Sequence, residues 1–271
     1  MIGLWFRGSG VSTLIGVALV SVVLLAVLDW VEAPVAIEIS NGLHPPSWTY
    51  PMGTDRLGRD VFIRSLFAAG LSLSLAALAT LAAFLIGVVM ALVSAANAGK
   101  WMDRVIVLLA DGMRSFPSLV LALLFVTSGL PIALLLALYF WTAFWRTLRS
   151  QLNVEACQSY ALVARLLGLS EIRVLAGEAL PNALTTARSY FVVIFAEVLS
   201  VQSSLEFLGF GPPLNTPSLG GQLSEALQLP QAYWIWLPSL LIIFIVVGLS
   251  VYATLGNIGK SGREANVDSE N

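Results

Sequence analysis

Residues 158–188 read QSYALVARLLGLSEIRVLAGEALPNALTTAR, an Arg-bearing stretch with a Gly near its middle and Leu-Pro-Asn towards its end. Long apolar runs dominate the chain on either side of it, so this is a polar, helix-patterned loop set between membrane spans. Tyr160, Val163, Leu166 and Leu167 recur at i, i+3, i+6 and i+7, which predicts a short helix with one apolar face. Gly168 ends or bends that helix, Ser170 is placed to cap a following one with Glu171 in its first turn, and Pro181 marks a further break. An apolar helical face outside the bilayer suits docking into a groove on a soluble partner or lying on the membrane surface.

Working outward, the 271 residues are 58% apolar and 11% charged, with a mean hydropathy of +0.86. Soluble domains run near a quarter charged, so the composition specifies an integral membrane protein. Six helical spans are predicted: Val11–Leu28, Leu71–Ala96, Met102–Thr127, Ile132–Trp145, Tyr190–Val201 with polar extensions, and Tyr233–Leu255. Helices are required because hydrocarbon offers no partner to open strand edges. The fourth and fifth are short against the roughly 20 residues that a bilayer core needs. No small-x-small cleavage pattern follows the first, which favours an uncleaved helix over a signal peptide. The expected organisation is an N-terminal helix and loop over residues 1–70, a core over 71–260 with its loop at about 150–188, and an acidic, disordered tail over 261–271.

Orientation follows from the cations. With the N-terminus inside, the cytoplasmic segments hold Arg7, Lys100, Arg104, Arg146, Arg149, Arg165, Arg173, Arg188, Lys260 and Arg263. The outside holds Arg56, Arg59 and Arg64, and residues 202–231 carry no Lys or Arg. Both termini and the 158–188 loop are therefore expected in the cytoplasm.

Few residues here suit chemistry. The single cysteine, Cys157, excludes an intrachain disulfide, and the single histidine, His44, supplies no histidine cluster for a metal or a catalytic triad. Gly259-Lys260-Ser261 imitates the end of a phosphate-binding loop, but Thr254 stands where that loop requires its first Gly. A net charge of −2 gives no reason to expect a nucleic-acid partner.

Ionisable groups at membrane depth are costly and mark candidate sites. Asp111 and Arg114 are spaced to form an i,i+3 pair beside Phe116-Pro117, where Pro kinks or breaks the third span. Glu197 sits in the fifth span with no evident partner in its own helix. A proton relay through Asp111 and Glu197 would make this a stand-alone ion-coupled transporter. Near the second span, helical spacing predicts i,i+4 pairs of Arg56 with Asp60 and of Asp60 with Arg64. Gly87 and the run from Ala76 to Ala83 offer small faces for helix packing.

Three passages together resemble the permease subunits of binding-protein-dependent ABC importers, specifically the second permease of the dipeptide, oligopeptide and nickel branch. GTDRLGRDVFIRSLFAAGLSLSLA, residues 53–76, is similar to the pattern GTD-x-LGRD-V-x-SR-L-x-x-G-x-x-x-SL. The 158–188 loop resembles the family's EAA loop ending in LPNA, and LEFLGFGPPLNTPSLGG, residues 205–221, resembles LSFLGLG-x-x-PPTPSWG. The three keep their order and sidedness. The chain departs from the family at Leu162, where Glu is usual, at the neighbouring Val163, and at Gln202, another Glu position. The usual GDGLRD is eroded to Gly256-Asn257-Ile258-Gly259-Lys260.

The resemblance implies an all-α polytopic membrane protein with the six-helix type I ABC importer permease fold. It would form the translocation path with a homologous permease in the inner membrane and perform no covalent chemistry. Two cytoplasmic ATPases would bind the ATP and Mg, leaving this chain without a cofactor, and an outer solute-binding protein would deliver cargo. Small peptides are the first cargo implied, and nickel or a metal chelate the second. In the ATPase-coupling helix, Tyr160, Ala164, Arg165, Gly168, Leu180, Pro181 and Asn182 fall on matching positions. Asp55, Arg56, Arg59 and Asp60 are the candidate outer gate or binding-protein contact, and Asp111, Arg114, Glu197 and Gln202 the candidate polar groups of the pathway.

Overall fold

The structure is a computed structural model that describes residues 39–126, 129–213 and 216–269, with residues 253–269 as backbone. The expected first span lies outside the described residues. Apart from a lone bridge between Thr54 and Asp60, the described regular structure is helical: α1 Val61–Ala96, α2 Trp101–Arg114, α3 Ser118–Val126, α4 Ile132–Glu155, α5 Ser159–Leu166, α6 Glu171–Val174, α7 Leu180–Leu205, α8 Leu219–Ser224 and α9 Tyr233–Ser269. Two compact units share these helices, one from residues 78–195 with 251–269 and the other from 39–77 with 196–250.

By length and composition, three described helices can cross a membrane: Val61–Ala96, Tyr190–Phe210 and Tyr233–Tyr252. A fourth candidate is the pair α2 and α3, bent by 92° at their junction. The sequence predicts one span there, and the break has a clear cause. Pro117 has no amide hydrogen to continue the ladder and disfavours helical backbone at Phe116. The fourth predicted span falls in a helix longer than expected, α4, which continues past Arg146 and Arg149 to Glu155 and is not among the helices apolar enough to count as spans. α1 starts before the expected boundary at residue 70, with Asp60 as its cap: Asp60 Oδ1 accepts from the amides of Phe62 at 2.8 Å and Ile63 at 3.4 Å. At 36 residues α1 is about 54 Å long, well beyond a bilayer core. α9 carries helix through residues 261–269, which their composition marks for disorder.

Small residues set the packing of the first unit. On α1, Ala79, Ala83 and Ala91 are fully buried. A Cβ built on Gly87 would come within 2.6 Å of Phe144 Cβ and 3.1 Å of the Trp141 carbonyl. Backbone here meets side chain directly, as small faces in membrane helices allow. Around that approach Phe84 meets Phe144 edge-on at 5.3 Å, and Phe191 lies 5.5 Å from Phe144. Trp141, Trp145, Leu148 and Leu152 extend the same core along α4 towards Leu175, Ala179 and Ala183. In the second unit Val61, Ala232 and Ile235 form a smaller cluster.

Gly87→Val should overpack this core and lower stability by about 1–3 kcal/mol. Gly112→Ala, at a position where a Cβ meets nothing within 4 Å, should be neutral or slightly stabilising. Thermal unfolding of the detergent-solubilised chain reads both, and equal melting shifts would contradict the close α1–α4 packing.

Candidate functional site

Two constellations stand out, one in each unit. In the first unit the short helix α5 carries the loop that the sequence singles out. Its C-terminus closes as a Schellman turn: the Gly168 amide donates to the Arg165 carbonyl at 2.9 Å and the Leu169 amide to the Ala164 carbonyl at 3.2 Å. Gly168 has φ +84°, the left-handed backbone that glycine adopts at no steric cost. Ser170 stands at the N-cap of α6, as its position predicts, but its hydroxyl makes no capping bond.

α5 turns its alanines inward and leaves most of the predicted apolar face open. Ala161, Ala164 and Tyr160 pack with Val174, while Val163, Leu166 and Leu167 of that apolar face point away. Leu166 is 86% and Leu167 78% exposed, and Leu162, Leu169 and Ile172 are exposed beside them. The alanines pack with Val174 and Tyr160, and the larger aliphatic side chains lie at the surface.

Charged forks fix this arrangement. Arg165 donates through Nε and Nη2 to the two carboxylate oxygens of Glu171 at 2.9 and 2.7 Å, and through Nη1 to the Ala156 carbonyl at 2.6 Å. The Arg165 fork holds the Glu171 carboxyl below the usual carboxylate range, against the opposing effect of burial. The Tyr160 hydroxyl donates to Glu155 Oε2 and accepts from Asn182 Nδ2 at 3.0 Å. Burial pushes the Tyr160 hydroxyl up, and the bond to Glu155 adds to it. Leu180, Pro181 and Asn182 open α7, and Pro181 does not break the chain as predicted. The π-turn Leu175–Ala179 precedes it and widens the helix where proline lacks a donor.

A polar seam runs along the same unit. Buried Asp103 accepts from Ser94 Oγ at 2.5 Å, the Gly99 amide at 3.0 Å and Arg149 Nη2 at 2.9 Å. Asp111 pairs with Arg146 of α4 at 2.8 Å, not with Arg114, and the two side chains are 55% and 57% exposed. The predicted i,i+3 pair is therefore replaced by an interhelical one on an open face.

In the second unit the segment before α1 is a turn rather than the predicted helix. Gly53 and Gly58 have φ +68° and +75°, and Asp55 folds the turn around its own carboxylate. Asp55 Oδ1 accepts from the amides of Leu57 at 2.8 Å and Arg59 at 3.0 Å, and Oδ2 from Arg59 Nε at 2.7 Å and Arg64 Nη1 at 2.6 Å. Asp55 is 1% exposed. The predicted pairs Arg56–Asp60 and Asp60–Arg64 are absent, because Asp60 caps α1 and Arg64 turns to Asp55. Arg64 also lies 3.8 Å from Glu225.

Buried Glu206 follows α7 in the π-turn Glu206–Phe210. It accepts from Gln202 Nε2 at 2.9 Å and from the Gly220 amide at 3.1 Å. A Cβ on Gly220 would lie 2.1 Å from the Ser203 carbonyl, so α8 is held against the end of α7 where glycine alone fits. Gln222 Oε1 accepts from the hydroxyls of Ser65 and Ser239. Asp55, Arg56, Arg59, Arg64, Glu206 and Glu225 line one cavity of about 460 Å³. Glu197 is exposed on α7 and Gln202 is buried.

Sequence reasoning missed Glu155, Glu171, Arg146, Glu206 and Glu225 as partners and gave Arg64 the wrong one. Arg64 and Glu206, charges inside apolar runs, carried a readable signal; the others are joined by tertiary contact or a local turn.

Residues 83–258 match the family model described as binding-protein-dependent transport system inner membrane component. The chain is 31% identical over 218 residues to the dipeptide transport system permease protein DppC of Alkalihalophilus pseudofirmus, spanning 78% of this chain and 71% of that one. It is 26% identical over 213 residues to the oligopeptide transport system permease protein OppC of Lactococcus lactis subsp. cremoris, spanning 76% and 72%. Similarity to the glutathione transport system permease protein GsiD of Pectobacterium atrosepticum is 27% over 232 residues, spanning 82% and 77%.

Asp55→Asn should cost about 3–5 kcal/mol, since it leaves the buried Arg64 guanidinium without its close counter-ion. Arg56→Ala, at an exposed side chain, should stay within about 0.5 kcal/mol of wild type. Thermal melting of the two variants reads the contrast. The Arg165–Glu171 fork gives a pH signature. Its contribution is present above the ordinary carboxylate value of about 4.3 and is lost as pH falls through the lowered folded value. Amide exchange over residues 159–174, corrected for intrinsic rates, should therefore accelerate below about pH 4 in wild type and show no such step in Glu171→Gln.

Proposed function

The chain belongs to the family of binding-protein-dependent transport system inner membrane components, and from that premise we propose that it passes short peptides through an ATP-driven importer. It is a multi-pass permease subunit, not itself an enzyme. The relatives named above are permeases of dipeptide, oligopeptide and glutathione systems, which supports peptide cargo over nickel or a metal chelate. The path would lie between this chain and a homologous permease. ATP and Mg would be bound by two cytoplasmic ATPases, and a solute-binding protein would load the outer side. Both termini and the α5 loop would face the cytoplasm, in line with the distribution of Lys and Arg.

The observation that carries the mechanism is the outward apolar face of α5. Leu162, Val163, Leu166 and Leu167 are exposed on a helix whose position is fixed by Tyr160, Ala164, Arg165, Gly168 and Asn182. A rigid helix with projecting leucines suits insertion into a groove on a partner. Closure of the ATPase pair would move that helix as a body, and the forks from Arg165 and Tyr160 would pass the displacement to α4 and α7. Leu162 and Val163, where the family has Glu and Ala, make the face more apolar and fit an ATPase groove of matching character. Asp55, Arg56, Arg59 and Asp60 would form the outer contact, with Asp111, Arg114, Glu197 and Gln202 along the route.

Leu166→Glu combined with Leu167→Glu changes side chains that are 86% and 78% exposed. The double variant should insert and melt like wild type, lose co-purifying ATPase and lose ATP-driven peptide uptake in proteoliposomes. Retention of the ATPase by the variant would place the docking contact elsewhere.

A further inference from the structure

We propose that the cavity beside Arg64 is a binding site for a free short peptide, with Glu225 receiving the ammonium end and Arg56 the carboxylate end. It deepens the peptide-import reading and rests on it for orientation, since the cavity would then open on the side where cargo arrives. At about 460 Å³ the cavity falls in the range of small-ligand sites.

Its walls are built before any ligand comes. Arg64 and Arg59 are held by Asp55 at 2.6 and 2.7 Å, and Glu206 is held by Gln202 and the Gly220 amide. These charges are matched within the fold and keep the cavity's shape. Glu225 is not matched in this way. Its ion pair with Arg64 is long, 3.8 Å, and burial pushes its carboxyl above the usual range despite the pull of Arg64. A desolvated carboxylate with so distant a counter-ion gains from a further cation. Arg56 lines the same cavity and acts on Glu225 through its field, and its side chain is exposed.

The mixed charge selects the ligand. A simple anion entering the cavity meets Glu225, Glu206 and Asp55, and a simple cation meets Arg56, Arg59 and Arg64. A zwitterion with separated ends satisfies both sets. The wall also includes Leu57, Pro212, Pro213 and Pro217, apolar surface that suits the non-polar part of a short peptide. A protein loop laid across the cavity has no free ends, so the blocked-peptide arm of the test distinguishes it.

The test uses the assembled membrane complex without its solute-binding protein, titrated calorimetrically with Ala-Ala, N-acetyl-Ala-Ala and Ala-Ala-amide. Ala-Ala should bind, each blocked form about tenfold or more weaker, a loss of about 1.4 kcal/mol per lost charge contact. Glu225→Gln should weaken Ala-Ala about tenfold but leave N-acetyl-Ala-Ala unchanged, and Arg56→Gln should do the converse with Ala-Ala-amide. Absence of Ala-Ala binding at millimolar concentration, or equal binding of the three peptides, overturns the proposal. So does loss of affinity for the solute-binding protein in Glu225→Gln and Arg56→Gln with Ala-Ala binding intact, which makes the cavity a protein contact. The blocked peptides on the wild-type complex keep the test decisive if a variant does not assemble. Co-purification of the ATPases is scored on the same complex, so failure of peptide binding stands apart from failure of the importer reading.

Discussion

Hydrocarbon accepts no hydrogen bonds, and every backbone group placed in it needs a partner within the chain. The membrane-crossing helices of this protein follow from that constraint, and the supply of backbone donors decides where helices break. At Pro117 the ladder cannot continue, and α2 ends and α3 begins at 92° to it. At Pro181 the π-turn Leu175–Ala179 takes up the missing donor and the helix continues. A second π-turn, Glu206–Phe210, ends α7 where Gly209 turns into the left-handed region at φ +93°. Proline has different effects at the two sites because a widened turn precedes only one of them.

Burial within the protein puts a similar constraint on charge. Asp55, Asp103 and Glu206 are buried carboxylates, and each is surrounded by donors from more than one segment: amides from a tight turn, a guanidinium, or a helix-start amide with a side-chain amide. A carboxylate with several fixed donors ties together segments that apolar packing would leave free to slide. Asp55 joins the turn at Gly58 to α1, and Glu206 joins α7 to α8. Glu225 and Arg56 lack that degree of internal matching, which is why the cavity between them has chemistry to offer a ligand.

The α5 loop uses packing in the opposite sense to a soluble helix. Its alanines face inward and its leucines outward. The Arg165 fork, the Schellman turn at Gly168 and the Tyr160–Asn182 bond hold the backbone, so the exposed leucines are presented on a stiff support. A helix packed by its own large apolar residues would have had none left to offer a partner.

Composition and hydropathy determined the class of protein, the number of long apolar runs and the polarity of the loops, because transfer into lipid depends on local sequence alone. Motif order was enough to reach the family. The sequence also placed the helix end at Gly168 and the break at Phe116-Pro117, since left-handed glycine and donor-less proline act locally. It could not decide which face of α5 turns inward: periodicity marks an apolar stripe, but the side chains packed with Val174 are Tyr160, Ala161 and Ala164. Nor could it choose ion-pair partners. Spacing offered Asp111–Arg114 and Asp60–Arg64, while the fold gave Asp111–Arg146 and Asp55–Arg64, because guanidinium and carboxylate meet where helices and turns bring them, at distances that sequence separation does not encode.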